Sequence, residues 1–300
     1  MEDFLVVALA GFAASLVDGA LGMGFGPTSS SILLSAGLSP AAASTTVNLA
    51  KVVTGVFSGA AHWRVGNVDR RLVLRLALPG AAGALIGTLI LVTVDGDDLR
   101  PVLATVLMLV GLRILLRFSR PLPMQPDGEV LDADRAAQAD VSGVEVAGAA
   151  GGVTNGLVGA WGPVVTPFLL HKGLAPRFAV GSVNTAEVAV ATVASVSLLT
   201  SAAGDGLDAS ILLAMLLGGA AAAPLAAVVV RWLAPRVLGL AVAGLLLLTQ
   251  TRELAGAADL GPSRWGAYAA VVLALTAAAA APRVRRAVTD RRRATITAAG

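Results

Sequence analysis

The chain contains no cysteine, only two histidines and few charged residues. The missing cysteine excludes disulfide bonds, thiol catalysis and cysteine-based metal sites, and two histidines argue against a histidine-rich metal site. Charged residues make up 14% of the 300 positions, against about 25% in a soluble domain. Because a globule of this length needs a polar surface, so few charges indicate that a lipid bilayer surrounds much of the chain.

Apolar sequence is abundant: 56% of the residues are hydrophobic and the mean hydropathy is +0.80. A helix needs roughly 20 apolar residues to cross the hydrocarbon core. The sequence predicts such spans near residues 4–22, 41–62, 72–94, 99–117, 142–158, 177–201, 208–231, 235–251 and 265–281. Two shorter apolar pieces, near 27–36 and 163–171, are long enough for only half a bilayer at about 1.5 Å per residue. The acidic start Glu2-Asp3 argues against a cleaved signal peptide.

Basic residues cluster in gaps between these spans, which is typical of membrane loops. Arginines occupy the gap at 64–75, close the fourth span and crowd the last 18 residues, whereas the gaps at 95–98 and 205–208 are acidic. The positive-inside rule then predicts an external N-terminus, a cytoplasmic linker at 121–141 and a cytoplasmic C-terminus. This distribution does not form a basic groove, so no nucleic-acid partner is expected.

The chain repeats itself at an offset of 136 residues. Positions 26–52 and 162–188 share 12 identities over 27 positions without a gap, including Gly-Pro, Gly-Leu-x-Pro and Val-Asn pairs. The gaps that follow equivalent spans carry opposite charges, so the two halves are predicted to be inverted repeats. Each half must then cross the membrane an odd number of times, and the short piece counts as, or completes, one crossing.

The predicted fold is an all-α polytopic membrane protein of two inverted-topology repeats with broken helices at the midplane. The first repeat is 1–120, with four spans and the half-helix 27–36. The linker is 121–141, and the second repeat is 142–252, with four spans and the half-helix 163–171. The last span and a basic cytoplasmic tail form 253–300.

Glycine-rich breaks precede both half-helices. The first break, residues 22–31, and the second break, residues 156–167, each contain Gly-Pro at the same repeat position. A helix N-terminus carries about half a positive charge and attracts anions, so paired breaks predict an anion cradle. The alternative is close helix packing through small residues. The cradle residues that this hypothesis selects are Gly24, Gly26, Thr28, Ser29, Gly162 and Thr166.

Lys51 and Glu187 occupy the same repeat position, in the middle of predicted spans. A charge at that depth costs about 2.5–3.5 kcal/mol on insertion scales. One hypothesis assigns anion attraction to Lys51 and proton coupling to Glu187; the alternative is a neutralising ion pair. Asn48 and Asn184 lie three residues earlier on the same helix faces, as substrate contacts or as a polar clamp between helices. Asp18 and Asn155, near the breaks, are second-rank candidates.

The residues around the first break resemble the sulfite exporter TauE/SafE family of membrane permeases. The resemblance rests on the glycines leading to Pro27, on Gly37-Leu38-Ser39-Pro40, on Ala43-Ser44-Thr45 and on the run 62–69, with a second signature at 156–184. It covers roughly residues 4–250 and implies a carrier of sulfur oxyanions or organosulfonates in the inner membrane. The family's glycine run is interrupted here by Met23, Phe25, Ala160 and Trp161, where an aromatic ring would narrow the site or stack on an organic group.

We therefore expect a secondary transporter that exports small sulfur-containing anions by alternating access, coupled to a proton gradient. The alternatives are a non-transporting membrane scaffold and a permease for an unrelated small anion or solute. No catalytic residue, cofactor or metal is expected. The expected partners are a small anionic substrate and the bilayer, and a homodimer is left open.

The cysteine-free chain suits a direct test of this topology. A cysteine placed at Gly128, in the predicted cytoplasmic linker, should resist a membrane-impermeant thiol reagent added from outside the cell. A cysteine at Asp97, in a predicted external gap, should react with the same reagent. Ready labelling at position 128 would overturn the map.

Overall fold

The computed structural model describes residues 2–21, 24–119, 141–174, 176–201, 209–232 and 235–298. Within these ranges the chain is helical apart from short connections, and it contains no strand. Apart from Val141, the predicted linker lies outside the described residues, as does the acidic gap at 205–208.

Each predicted span and each short apolar piece forms a helix. The helices are α1 (Glu2–Leu21), α2 (Phe25–Ser35), α3 (Pro40–Arg64), α4 (Arg70–Thr93), α5 (Gly96–Ser119), α6 (Val144–Val158), α7 (Gly162–His171), α8 (Pro176–Thr200), α9 (Ala209–Trp232), α10 (Pro235–Ala257) and α11 (Arg264–Ala298). Four described segments are both long and apolar enough to cross a membrane: Arg70–Thr93, Gly96–Ser119, Arg177–Thr200 and Gly261–Ala281. The protein is an all-α, polytopic membrane protein.

The two half-helices, α2 and α7, end in the same way. Gly37 and Gly173 adopt positive φ angles of 94° and 84°, which only glycine adopts without strain. The amide that follows each glycine donates back to the helix, from Leu38 to Leu33 and from Leu174 to Leu169, at 3.1 Å in both cases. These turns satisfy carbonyl groups that a helix end leaves open, and they fix the length of both half-helices.

The long helices pair across the two halves of the chain. In each half the first long helix packs against the third long helix of the other half, so that α1 lies on α9 and α6 lies on α4. The central helices α3 and α8 pack on each other, as do α5 and α10. These pairings are preserved when the halves are exchanged, which agrees with the sequence repeat; the inverted relation of the halves stays a prediction.

Glycines let the long helices approach closely. On α6, a Cβ atom added at Gly152 would lie 2.0 Å from the carbonyl oxygen of Gly80 on α4. On α9, a Cβ atom at Gly218 would lie 1.9 Å from the carbonyl oxygen of Ala8 on α1. Because lipid tails are as apolar as leucine side chains, membrane helices associate through such close van der Waals packing rather than through the hydrophobic effect.

The α4–α6 contact predicts a large penalty for one added methyl group. Gly152→Ala forces the two backbones apart and should destabilise the protein by about 1–3 kcal/mol or more, as overpacking does. Gly256→Ala on α10 is the matched control, because nothing lies within 4 Å of its added Cβ atom. Melting curves in detergent should show a lower midpoint for Gly152→Ala only; equal midpoints would contradict the packing argument.

Candidate functional site

The two breaks meet in the interior of the protein. Gly159 adopts a φ angle of 68°, and a Cβ atom added at Gly26 would lie 1.8 Å from the carbonyl oxygen of Gly159. Side chains at these two positions would separate the breaks. Close packing, the alternative interpretation of these glycines, therefore applies to Gly26. The same contact also brings the starts of α2 and α7 together.

A cavity of about 70 Å³ lies beside the two breaks. A single water requires roughly 10–15 Å³ of cavity, so this one has room for several waters or a small polyatomic anion. The lining residues come from the end of α1, from both breaks and from the middle of α3 and α8: Asp18, Gly24, Phe25, Gly26, Pro27, Lys51, Thr54, Gly55, Ser58, Gly159, Gly162, Pro163, Asn184 and Glu187. Six of the predicted site residues thus come together: Gly24, Gly26, Lys51, Gly162, Asn184 and Glu187.

Lys51 lies at the centre of this arrangement. Its side chain is only 6% exposed and forms an ion pair with Glu187 of α8. Its Nζ atom also donates to Oδ1 of Asn155 at 3.0 Å and to the carbonyl oxygen of Gly159 at 2.6 Å. An ammonium group has three donors, so every donor of Lys51 has a partner inside the protein.

The ion pair joins the two halves of the chain inside the cavity. Lys51 belongs to the first half and Glu187, with a side chain 18% exposed, to the second. The neutralising ion pair is therefore present in this structure. Because both side chains also line the cavity, the same pair is placed where a substrate anion would meet it.

The two asparagines of the repeat have different surroundings. Asn48 is fully buried, accepts from Nδ2 of Asn155 at 2.7 Å and donates to the carbonyl oxygen of Ser44 at 2.9 Å. It therefore works as a clamp between α3 and α6. Asn184 lines the cavity, and its Nδ2 donates to the hydroxyl of Ser58 at 3.3 Å.

The predicted hydroxyl donors are not among the residues that line the cavity. Thr28, Ser29 and Thr166 are fully buried, and within the described residues their oxygen atoms have no hydrogen-bond partner. Neighbouring Ser30 donates to the carbonyl oxygen of Val158 at 2.9 Å. The polar surface of the cavity comes from Asp18 at the end of α1, from the helix starts and from α3 and α8.

The match to known proteins agrees with this architecture. The family model described as sulfite exporter TauE/SafE matches residues 7–252. The chain belongs to the TauE/SafE family. It is 39% identical over 255 residues to the "Probable membrane transporter protein YtnM" of Bacillus subtilis strain 168, covering 85% of this chain and 83% of that protein. No solved structure matches.

Family membership and the apolar helices make this TauE/SafE protein a multi-pass membrane transporter of a small substrate, not an enzyme. In the part of the chain that the structure describes, no group of three histidine, aspartate or glutamate side chains is placed to hold a metal ion. The groups that line the cavity offer charge pairing and hydrogen bonding.

Sequence reasoning undervalued some residues of the TauE/SafE cavity. Asn155, a second-rank candidate, bonds both Lys51 and Asn48 and ties the second break to α3. Gly159 had a signal in its glycine-rich surroundings, whereas nothing in the sequence marked Ser58. Trp161 is fully buried, and its Nε1 donates to the carbonyl oxygen of Val183 at 3.1 Å. It is not among the lining residues, whereas Phe25 is.

The ion pair predicts a double-mutant cycle in stability. Lys51→Met or Glu187→Gln leaves one charge buried without its partner, which should destabilise the protein by about 3–5 kcal/mol. The double variant removes both charges and should recover part of that loss. Melting midpoints of purified protein in detergent measure each effect.

The matched control for this cycle is a second ion pair of the same protein. Arg75 and Glu145 pair at 2.6 Å with side chains 41% and 49% exposed. Exposed pairs contribute little, so Glu145→Gln should melt close to the wild type. Two single variants of the buried pair that melt like this control would show that the pair adds nothing to stability.

Proposed function

We propose that this protein is a secondary transporter that exports small sulfur-containing anions, such as sulfite or organosulfonates, across the inner cell membrane. It works by alternating access and is coupled to a proton gradient. The observation that carries the proposal is a buried cation, Lys51, facing a cavity between two broken helices in a member of a sulfite exporter family. The homodimer that the sequence leaves open stays a prediction.

Two positively charged groups, one from each half of the chain, would hold the anion. Lys51 supplies a full positive charge from the first half of the chain. The start of α7 supplies the partial charge of a helix N-terminus, because Gly162 and Pro163 line the cavity and no side chain caps this helix. An anion between them would contact both halves of the protein at once.

Proton coupling follows from the ion pair. An anion that binds Lys51 takes the place of the Glu187 carboxylate, which is left in the cavity without its cation. An unpaired buried carboxylate is costly when ionised, so Glu187 would take up a proton as the anion binds. When the anion leaves, Glu187 releases the proton and pairs with Lys51 again. Anion and proton then move together.

The contact between the halves provides a structural basis for alternating access. Lys51 on α3 binds Glu187 on α8, while Gly26 and Gly159 bring the breaks into contact. An anion that replaces the ion pair removes one of the bonds between the halves, so they would become free to rock against each other. Transporters built from two repeats commonly move in this way around a fixed midplane site.

The test is anion flux into liposomes that contain the purified protein, with a panel of sulfite, sulfoacetate, taurine, thiosulfate and sulfate. Wild-type protein should move at least one sulfur anion, faster when a proton gradient is imposed. Lys51→Met should abolish anion binding, whereas Glu187→Gln should still carry the anion down its own gradient but lose the response to the proton gradient. Glu145→Gln is the control and should behave like the wild type.

Three outcomes would count against parts of this proposal. Transport of only a sulfur-free anion or solute would favour a permease of different specificity. A Glu187→Gln variant that keeps its proton-driven flux would exclude coupling at this residue. Full recovery of flux in the Lys51→Met, Glu187→Gln double variant would make the pair structural and move the site to Asn184 and the helix ends.

A further inference from the structure

Asp18 is a second carboxylate in the same cavity. It lies near the end of α1 and lines the cavity together with Lys51 and Glu187. Its Oδ1 atom accepts a hydrogen bond from the backbone N–H of Phe25, the first residue of α2, at 3.3 Å. This distance is long for an N–H···O bond, so a competing anion could replace the contact.

Among the described residues, Asp18 has no cation of its own. All three donors of Lys51 are directed to Glu187, Asn155 and Gly159, and Asp18 forms no ion pair with any residue that the structure describes. The described side chains of the helices that pack on α1 supply no other partner. The described side chains of α2 and α9 include no ionisable group, and the ionisable residues of α10, Arg236, Arg252 and Glu253, do not line the cavity.

The charges in the cavity therefore do not balance for an anion site. With Lys51, Glu187 and Asp18 all ionised, the cavity carries one net negative charge before any substrate enters. A substrate anion that displaced Glu187 would then face two carboxylates and a single ammonium group. At low dielectric such repulsion is large. Protonation of Glu187 alone would raise the net charge of the cavity only to zero.

Asp18 also occupies a place where the sequence predicted the substrate. The N-terminus of α2 was one half of the expected anion cradle, and the carboxylate of Asp18 binds its first amide. The equivalent position in the second half, 136 residues later, is Thr154, whose hydroxyl donates to the carbonyl oxygen of Ala160 at 2.9 Å. Of these two equivalent positions, only the one before the first break thus carries a carboxylate.

We propose that Asp18 is an internal competitor for the substrate anion and a second proton-binding group of the transport cycle. This inference rests on the proposed function and deepens it. When ionised, Asp18 fills the N-terminus of α2 and repels the substrate. When a proton from the aqueous side binds its carboxylate, the negative charge is lost, the contact with Phe25 weakens, and the amide becomes available to the substrate. Each anion then enters with a proton on Asp18, which leaves on the other side of the membrane.

The first measurement is the affinity of the purified full chain for ethanesulfonate at a series of pH values, by calorimetry. This probe keeps a single negative charge throughout, so any pH dependence belongs to the protein. Once Asp18 is ionised, wild-type affinity should fall about tenfold per pH unit for each proton taken up on binding. Asp18→Asn keeps the size and the acceptor atom without the charge, so the pH dependence should lose one proton and binding at alkaline pH should strengthen.

Matched variants separate this role from a structural one. Asp18→Thr copies the residue at the equivalent position of the second half and should behave like Asp18→Asn. Asp97→Asn makes the same change at a side chain that is 97% exposed and should leave the wild-type pH dependence intact. If Asp18→Asn and Asp18→Thr both keep the full wild-type dependence, the proposal is overturned.

A second measurement needs no substrate. Infrared difference spectra between acidic and alkaline buffer should show a protonated-carboxyl band that is absent in Asp18→Asn and present in Glu187→Gln. If Asp18→Asn keeps every band of the wild type, Asp18 binds no proton. If no anion binds the wild type, the proposed function and the competitor role fail together, while the infrared result still decides whether Asp18 takes up a proton.

Discussion

The structure depends on one buried charge, the ammonium group of Lys51 in the middle of a membrane protein. Such a charge costs several kcal/mol when it is left alone, so the surrounding chain must supply partners. The protein provides a carboxylate from the other half, an amide side chain from α6 and a backbone carbonyl from the second break. Each partner comes from a different element, and together they hold α3, α6, α8 and the second break in one arrangement.

Close packing of the surrounding helices makes that arrangement possible. Glycines on α4 and α6, and on α1 and α9, let backbones approach until no side chain fits between them. The contact of Gly26 with Gly159 continues this packing into the breaks themselves. Small residues therefore have two roles: they hold the bundle together in a solvent that offers no hydrophobic drive between helices, and they bring two helix N-termini to one cavity.

The two halves have the same order of long and short helices but differ in chemistry. Equivalent positions carry Lys51 and Glu187, a buried Asn48 and a cavity-lining Asn184, and Asp18 and Thr154. In the proposed function, the repeated frame would present one site to either side of the membrane, and the unequal charges of the two halves would select the ion. In the proposed cycle the negative side chains of the cavity are as important as its cation, since their protonation would define when an anion enters.

The sequence by itself determined the membrane class, the helices, the two half-helices and the equivalence of positions 51 and 187, because hydrophobic length, glycine breaks and an internal repeat are local patterns. It also indicated the family, which the match over residues 7–252 establishes. Only the tertiary structure decided which polar residues share the cavity. Thr28 and Thr166 have the right chemistry but are buried and do not line the cavity, Asn48 is used as a clamp, and Asp18 reaches the start of α2. The physical reason is that the helix face that lines a cavity depends on how helices distant in the sequence pack against it. A pattern of small residues does not specify which helices these are.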